Sequence, residues 1–413
     1  MQQAESLLTK VLGTQGWEIR SWDVDQRSRT VTIRVEPARE LGFCSRCGAA
    51  RKKVLGVVKR RRWRHLDLGV YRSIIEAPLR RVPCPRCGPV LEAVPWARPG
   101  SRWSRELEDA MLRLAREASF SAVANHFGVS WNVVARLVTR LIRWYSNRPR
   151  RRALRLIGVD EVSYGRGQQK YLTVVWDHEA SEVVWVGSGR DQATLERFYG
   201  KLGRRRCRKL RVVTMDMFDG YIRATRQAAS QATIVFDRFH IERHLVDAVD
   251  AIRKEEFFRK GEAGRTLLRG KKWLILTKQR HLHWRRRSRL ARLLVLNRRL
   301  YRAYVAKEAF EHFWTYRSRA GALGYLQGWL KMLRCQRLAP LKRFAQMLFD
   351  HLDGVLAWAT ERLSNAALEG NNARIRSLSH RAHGFRNVRN LIERIFHCFT
   401  PTAMPWIVHV TTQ

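Results

Sequence analysis

Apolar and polar residues alternate from Trp17 to Glu36, most clearly in Val31-Thr32-Ile33-Arg34-Val35, which predicts a small β-hairpin turning near Gln26 to Ser28. Short strands lead from it into a cysteine-bearing stretch. From about Arg102 to Trp144 the apolar positions recur at helical spacing, until the charged, proline-containing segment Arg148 to Arg152 interrupts them. Beyond that break come strands at Leu154 to Val159, Tyr171 to Trp176 and Val183 to Val186. A helix at Ala193 to Leu202, a strand at Leu210 to Met215, a helix near Tyr221 to Ala229 and a strand at Ile234 to Phe236 follow. Three strands and then alternating helix and strand suit a mixed sheet covered by helices, an α/β arrangement. From about Phe239 to Arg362 the pattern is almost wholly helical, with turn signals at Gly261 to Gly264, Gly321 to Gly324 and Pro340, and reads as a helical insertion.

Composition adds a partner to this outline. The 413 residues carry 80 Lys and Arg against 36 Asp and Glu, a net charge of +44, far more than solubility requires and suited to a polyanion. Basic runs at Lys59 to Arg64, Arg204 to Arg206 and Arg285 to Arg287 are scattered, so a nucleic acid would contact several domains rather than one tail. No stretch has the continuous apolar length of a membrane span, and Met1 to Gly13 lacks the long apolar segment of a signal peptide. The expectation is a cytoplasmic protein with no membrane partner.

Four of the seven cysteines form two pairs, Cys44-Ser45-Arg46-Cys47 and Cys84-Pro85-Arg86-Cys87, each followed by a glycine, Gly48 and Gly88. Two thiolates on each of two tight turns can close a tetrahedral site, which predicts a structural Zn²⁺ stapling a β-module. Four buried cysteines without metal are the plainer alternative. The basic strand Lys59 to Arg64 lies between the pairs, with Arg61 and Arg62 as candidate DNA contacts. Cys207, Cys335 and Cys398 are isolated and read as structural.

Phe120 to Trp131 reads as a short helix, a turn at Gly128 and a new helix capped by Ser130, a helix-turn-helix in which Ala124 permits close approach. Val134 and Leu137 would pack the second helix back onto the first, leaving Trp131, Asn132, Arg136 and Arg140 to reach a major groove. An ordinary helical hairpin is the alternative.

Acids at the ends of apolar strands are the candidate chemistry. Asp160 and Glu161 follow Ile157-Gly158-Val159, where a buried carboxylate is costly unless paired or metal-bound, and their side chains face opposite sides so that one joins a given site. Asp216, with Asp219 as fallback, ends a second strand, and Glu369 lies in the first turns of a helix that Asn365 can cap. Three such carboxylates can bind two Mg²⁺ (or Mn²⁺) ions per active site, one activating a water or a 3′-hydroxyl and the other stabilising the leaving oxygen. Taken singly, each acid could equally cap a helix or pair with an arginine.

These features occur in a fixed order. The cysteine pairs are joined by His65-Leu66-Asp67, then Gly158-Val159-Asp160-Glu161, Asp216-Met217 and Asp237-Arg238-Phe239-His240. Ala303-Tyr304 with Lys307-Glu308, Ser364-Asn365 with Glu369-Gly370-Asn371, and Arg381 with Gly384-Phe385-Arg386-Asn387 complete it. From the first cysteine pair to near the C-terminus the chain resembles the ISL3 family of bacterial insertion-sequence transposases. The resemblance implies an RNase H-like mixed-sheet catalytic core of the DDE type, interrupted by a large helical insertion and preceded by a zinc-binding β-module and a helix-turn-helix domain. Asp160, Asp216 and Glu369 correspond to the family's triad. Asp237 and His240 are secondary candidates, able to support the metal site or to form a hydrogen-bonded helix start. Arg374, Arg376, Arg381 and Arg386, close to Glu369 in sequence, are candidate phosphate clamps.

The expected domains are residues 1–98 (zinc module), 99–147 (helix-turn-helix), 154–240 (first part of the core), 241–362 (insertion) and 363–413 (final helix and C-terminus). The expected partners are the terminal inverted repeats of an element and a target, both double-stranded DNA, bound by a homodimer or higher oligomer. Three other functions compete. A sequence-specific DNA-binding regulator without catalysis leaves the acid-bearing strands unexplained. A tyrosine recombinase would use His240 and Arg243, yet no tyrosine follows before Arg299. The same three carboxylates would serve a metal-dependent nuclease of RNase H type that cuts without joining equally well, and the zinc and helix-turn-helix modules favour end recognition instead.

Overall fold

The computed structural model describes residues 8–38, 40–146, 152–165, 170–259, 261–334, 336–381, 385 and 387–400. Cys335, Gly384, Arg386 and the segment 148–151 lie outside the described residues. The chain divides after Tyr145 into two compact units.

The first unit begins with the expected hairpin, β1 (Trp17–Asp25) and β2 (Thr30–Pro37). Its turn is set by Asp25, whose carboxylate accepts the backbone N–H groups of Arg27 (2.8 Å) and Ser28 (3.2 Å). The two-residue strands β3 (Gly42–Phe43) and β4 (Ala50–Arg51) flank the first cysteine turn, and β5 (Leu55–Arg64), β6 (Arg72–Cys84) and β7 (Gly88–Leu91) follow. The main sheet runs β1-β2-β6-β5, with β7 also on β6. Its core is built around Trp96, which meets Trp17 and Trp63 edge-on at 5.0 and 5.4 Å.

Three helices complete this unit: α1 (Arg105–Glu117), α2 (Phe120–Phe127) and α3 (Trp131–Ser146). Ser104 and Ser119 cap the first two by accepting N–H groups of Leu107 and Ala122. Gly128 ends α2 in the left-handed region, φ 56° and ψ 47°, which turns the chain into α3. Val134 and Leu137 are buried as the pattern requires. The helices are stitched to β5: Ser104 N–H bonds Arg64 O (2.8 Å), the Arg64 guanidinium bonds Phe127 O, and His65 Nδ1 meets Ser104 Oγ at 2.7 Å.

The second unit carries a five-stranded sheet ordered β10-β9-β8-β11-β12. Strand β8 (Leu156–Ser163) is antiparallel to β9 (Tyr171–Asp177), which pairs with antiparallel β10 (Glu182–Ser188); β11 (Val212–Met215) and β12 (Thr233–Phe236) add in parallel. The sequence expectation ended the first strand at Val159, whereas β8 continues to Ser163, because β9 pairs it as far as Ser163 with Tyr171. Asp160 therefore stands within the ladder, opposite Val174.

Alternation along the strands separates the two faces. Ile157, Val159 and Val175 pack with Phe198 of α4 (Gln192–Leu202) and Tyr221 of α5 (Asp219–Ala228). Val162, Leu172 and Val174 pack with Leu368 and Ile375 of one late helix and Leu391 and Ile395 of the next. Between the two parts of the core runs a helical stretch from α6 (Arg238–Arg259) to α13 (Leu352–Glu361). It comprises α7 (Gly261–Leu268), α8 (Lys272–Leu276), α9 (Trp284–Leu296), α10 (Arg298–Phe310), α11 (Arg319–Arg334) and α12 (Ala339–Asp350). Phe310, Trp314, Trp329 and Phe344 form its buried aromatic centre. Lys307 is buried there, donating to the carbonyls of Ile275, Leu276 and Thr277, so it caps the end of α8. The chain returns to the sheet as α14 (Ala366–Arg381) and α15 (Val388–Phe399).

Candidate active site and metal centre

The last pair between the parallel strands β8 and β11 joins Thr214 to Gly158. Two residues on, in the same register, stand Asp216 and Asp160, the two acids expected to share a site. Asp160 Oδ2 accepts Asn372 Nδ2 of α14 at 2.7 Å, and Oδ1 accepts the N–H of Glu161 at 2.8 Å. Asp216 Oδ1 and Asn372 Oδ1 are buried and have no hydrogen-bond partner among the described residues. Glu161 is on the opposite face, against Tyr221, as alternation requires. Asp219 is exposed at the start of α5.

Glu369 lies in α14 one turn before Asn372, and its side chain is outside the described residues. Helix α14 can lie this close to β8 because residue 158 is glycine: a Cβ there would stand 2.3 Å from Leu368 and 2.9 Å from Asn365 Oδ1.

A polar clamp fixes the start of α14 against β8, β11 and the residue that follows β12. Asn365 N–H donates to Asp237 Oδ1 (3.1 Å), its Nδ2 donates to Val159 O (3.3 Å), and its Oδ1 accepts the Thr214 hydroxyl. His178 Nε2 meets the same hydroxyl at 2.8 Å. Asp237 uses its other oxygen on His240 Nδ1 (3.1 Å), and His240 Nε2 faces Asp216 Oδ2 at 3.9 Å. The secondary candidates Asp237 and His240 are thus joined to Asp216 and to α14. Sequence reading took Asn365 only as a helix cap and missed its bonds to Thr214 and Asp237, and it missed Asn372, which stands directly after the quoted Glu369-Gly370-Asn371.

Burial sets the electrostatics. It pushes the Asp160 carboxyl up to about 6, with Asp216 and Asp237 raising it further and His240 opposing them. Asp216 is also pushed up, first by burial. Burial alone would lower His240, but its bond to Asp237 and the charges of Asp216 and Asp160 outweigh that and raise it to about 9. Two carboxylates that resist ionisation side by side, with an unpartnered buried oxygen, have the donor set a divalent cation would satisfy.

In the first unit, Cys44, Cys47, Cys84 and Cys87 bring their sulfurs within 4.8 Å of one another. Among the described residues this is the one cluster of His, Cys, Asp or Glu with complete metal-holding spacing. Backbone N–H groups of Cys47 and Arg46 favour the thiolate of Cys44. In the helix-turn-helix, Trp131, Asn132, Arg136 and Arg140 are all exposed. Arg140, though exposed, also pairs with buried Glu108 at 2.6 Å, beside Arg98. Arg62 pairs with Glu76 at 2.6 Å while staying exposed, and Arg61 bonds Ser101 O at 2.6 Å. Arg374 is exposed over the Phe399 ring at 4.8 Å, and Arg381 is exposed at the end of α14.

Residues 157–395, which contain every acid of the site, match the DDE family model for ISL3 transposases, described as "Transposase". The chain belongs to the ISL3 transposase family. Residues 92–142 match the helix-turn-helix domain of transposase family ISL3, and residues 40–87 match the zinc-finger of transposase IS204/IS1001/IS1096/IS1165. The chain is 28% identical over 403 residues to the transposase for insertion sequence element IS1001 of Bordetella parapertussis, covering 96% of this chain and 98% of that one. It is 30% identical over 387 residues to the transposase for IS1557 of Mycobacterium tuberculosis, covering 88% and 87%.

The protein is therefore a DNA transposase, a DNA-cleaving enzyme, and the non-catalytic regulator is set aside. Its zinc-finger match and four-sulfur cluster together support a structural Zn²⁺. Among the described residues of this transposase, no helix is long and apolar enough to cross a membrane.

Proposed function

We propose that Asp160, Asp216 and Glu369 form the catalytic triad, holding two Mg²⁺ or Mn²⁺ ions. Cys44, Cys47, Cys84 and Cys87 are the zinc ligands. The zinc module (1–98) and helix-turn-helix (99–147) bind the element's terminal inverted repeats, and the core (154–240 and 363–413), with its insertion (241–362), cuts and joins strands as a homodimer or higher oligomer. The strand order β10-β9-β8-β11-β12, with antiparallel strands before parallel ones, Asp160 within β8 and Asp216 just past the end of β11, supports an RNase H-like core. The observation that carries the triad is the parallel register that sets Asp160 beside Asp216 while Asn372, one turn after Glu369, bonds Asp160.

When bound, divalent ions activate the attacking oxygen and stabilise the leaving one. The chain's residues arrange this. Asp160 is fixed by Asn372 and by the Glu161 N–H. Asp216 keeps one oxygen open, and Asp237 orients His240 toward it. The Arg374, Arg376 and Arg381 side chains on α14 supply cations for the flanking phosphates. Trp131, Asn132 and Arg136 present the recognition face of α3.

The test uses labelled DNA bearing an element end, with Mg²⁺ or Mn²⁺ and with EDTA. Asp160→Ala, Asp216→Ala and Glu369→Ala should each lower nicking and joining by roughly 10³-fold or more, the effect of losing a few kcal/mol of transition-state stabilisation, while end binding survives. Cleavage at wild-type rates in any of the three would remove that residue from the triad.

A further inference from the structure

A second basic feature lies away from the carboxylates. Arg204, Arg205, Arg206, Arg208, Lys209 and Arg211 occur within eight positions leading into β11, and all six are exposed. None forms an ion pair among the described residues, whereas Arg62, Arg98 and Arg140 of the first unit all do. The backbone beneath them is held firmly. Cys207 and Leu210 are buried in the core, and Gln231 Nε2 donates to both of their carbonyls, at 2.8 and 3.0 Å. Arg211 N–H bonds Arg155 O at 2.8 Å, which places the exposed, unpaired Arg155 beside the turn. Arg204 and Arg208 border an open cleft of about 860 Å³, closed by Ala224, Gln227 and Ala228, in which Glu196 is the one acid.

The turn enters β11 at its N-terminal end, and Asp216 follows the C-terminal end. At roughly 3.3 Å per residue the five steps from Arg211 to Asp216 span about 16 Å, so a phosphate on the turn is not the one reacting at the acids. Arg204, Arg205 and Arg206 lie on a one-turn helix, Arg204–Cys207, and a solvated charge run of this kind would ordinarily find some acidic neighbour. Here seven cations, counting Arg155, stand unneutralised on a rigid edge. The turn offers arginines and a lysine for phosphates but no exposed aromatic ring on which an unpaired base would stack.

We propose that this edge is a second, sequence-neutral binding site for duplex DNA on the catalytic unit, gripping the phosphate backbone at a distance from the reacting strand. It uses the proposed triad only to mark where the other site lies. The duplex it holds is gripped through its phosphates alone, whatever its sequence.

The experiment measures binding of the full-length protein to a random-sequence duplex in EDTA, so it does not depend on the triad. Arg204, Arg205, Arg206 and Arg208 are changed together to Gln, and in a second variant to Lys. At about 0.9 per phosphate contact, the slope of log K against log salt should become shallower by roughly 3 to 4 in the Gln variant and recover in the Lys variant. Preference for an end-bearing duplex over a random one should be kept or increased. A Gln variant whose slope changes by less than about one overturns the proposal, as does a loss confined to single-stranded DNA. Thermal unfolding of both variants at the wild-type midpoint excludes a folding defect.

Discussion

At the scale of single residues, the site depends on contacts made by groups that do no chemistry. Gly158 leaves room for the side chains of Leu368, His178 and Asn365, so Gly158→Ala must displace them from the contact between α14 and β8. Overpacking of this kind costs about 1–3 kcal/mol, and both the unfolding midpoint and strand joining should fall. A Gly158→Ala protein with wild-type joining would show that α14 tolerates displacement. Asp237 accepts the buried Asn365 N–H while orienting His240. Asp237→Ala leaves that N–H unsatisfied, a loss of about 1–3 kcal/mol, whereas Asp237→Asn retains an acceptor and should recover most of the stability without the activity. Equal unfolding midpoints for the two variants would contradict the clamp. The acids Asp160 and Asp216 were legible in the sequence because a carboxylate after a run of apolar strand residues is costly without a partner. Their supports were not, because Asp237 and Asn365 meet across 128 positions and no local pattern records that. Arg61, Arg62 and Arg140 show the opposite limit. Their charge was plain, but which acid or carbonyl stood within reach was not.

At the scale of elements, the β5 strand and α1 are pinned through a buried histidine. Burial pulls His65 from 6.5 down to about 4, and Ser104 Oγ and the Glu106 carboxylate, 3.7 Å from Nδ1, are the groups that face it. A histidine depressed in the folded state leaves stability intact above its unfolded value of 6.5 and removes it as pH falls toward 4. The first unit should lose on the order of 3 kcal/mol across that window through His65. His65→Gln should flatten the pH dependence measured by chemical denaturation. An unchanged profile would assign the acid sensitivity elsewhere. The cysteine turns make a second prediction. The four sulfurs share one metal ion and lose it on chelation, so chelation should unfold the sheet around β6 and β7 and abolish end binding, both restored by Zn²⁺. Circular dichroism and a DNA shift assay read the two losses together.

Over the whole molecule, the net charge of +44 works against compactness as well as toward DNA. Self-repulsion is screened by salt, so the unfolding midpoint of the DNA-free protein should rise from low to high ionic strength while affinity for duplex DNA falls. A midpoint that drops with salt would mean that the internal ion pairs outweigh the repulsion. The chain divides into its two compact units after Tyr145, shortly before the charged segment 148–152 at which the hydrophobic pattern breaks. The order of strands in the sheet, by contrast, is a long-range result: β11 inserts beside β8 only after β9, β10 and α4 have been laid down.

The sequence by itself determined the elements, the two cysteine turns, the helix-turn-helix and the presence of acids on apolar strands. Each is encoded by neighbouring residues, through periodicity, turn chemistry or the cost of burying charge. Only the tertiary structure decided that Asp160 and Asp216 share a register, that Asn372 and the Asn365 clamp bring α14 to them, and which arginines are spent on internal partners. It also decided that β8 runs past Asp160 to Ser163 and that the Arg204 to Arg211 turn stands unpaired at the far end of the sheet. Those outcomes depend on which distant groups come within hydrogen-bond or charge range once the chain has closed on itself, and local patterns do not specify that.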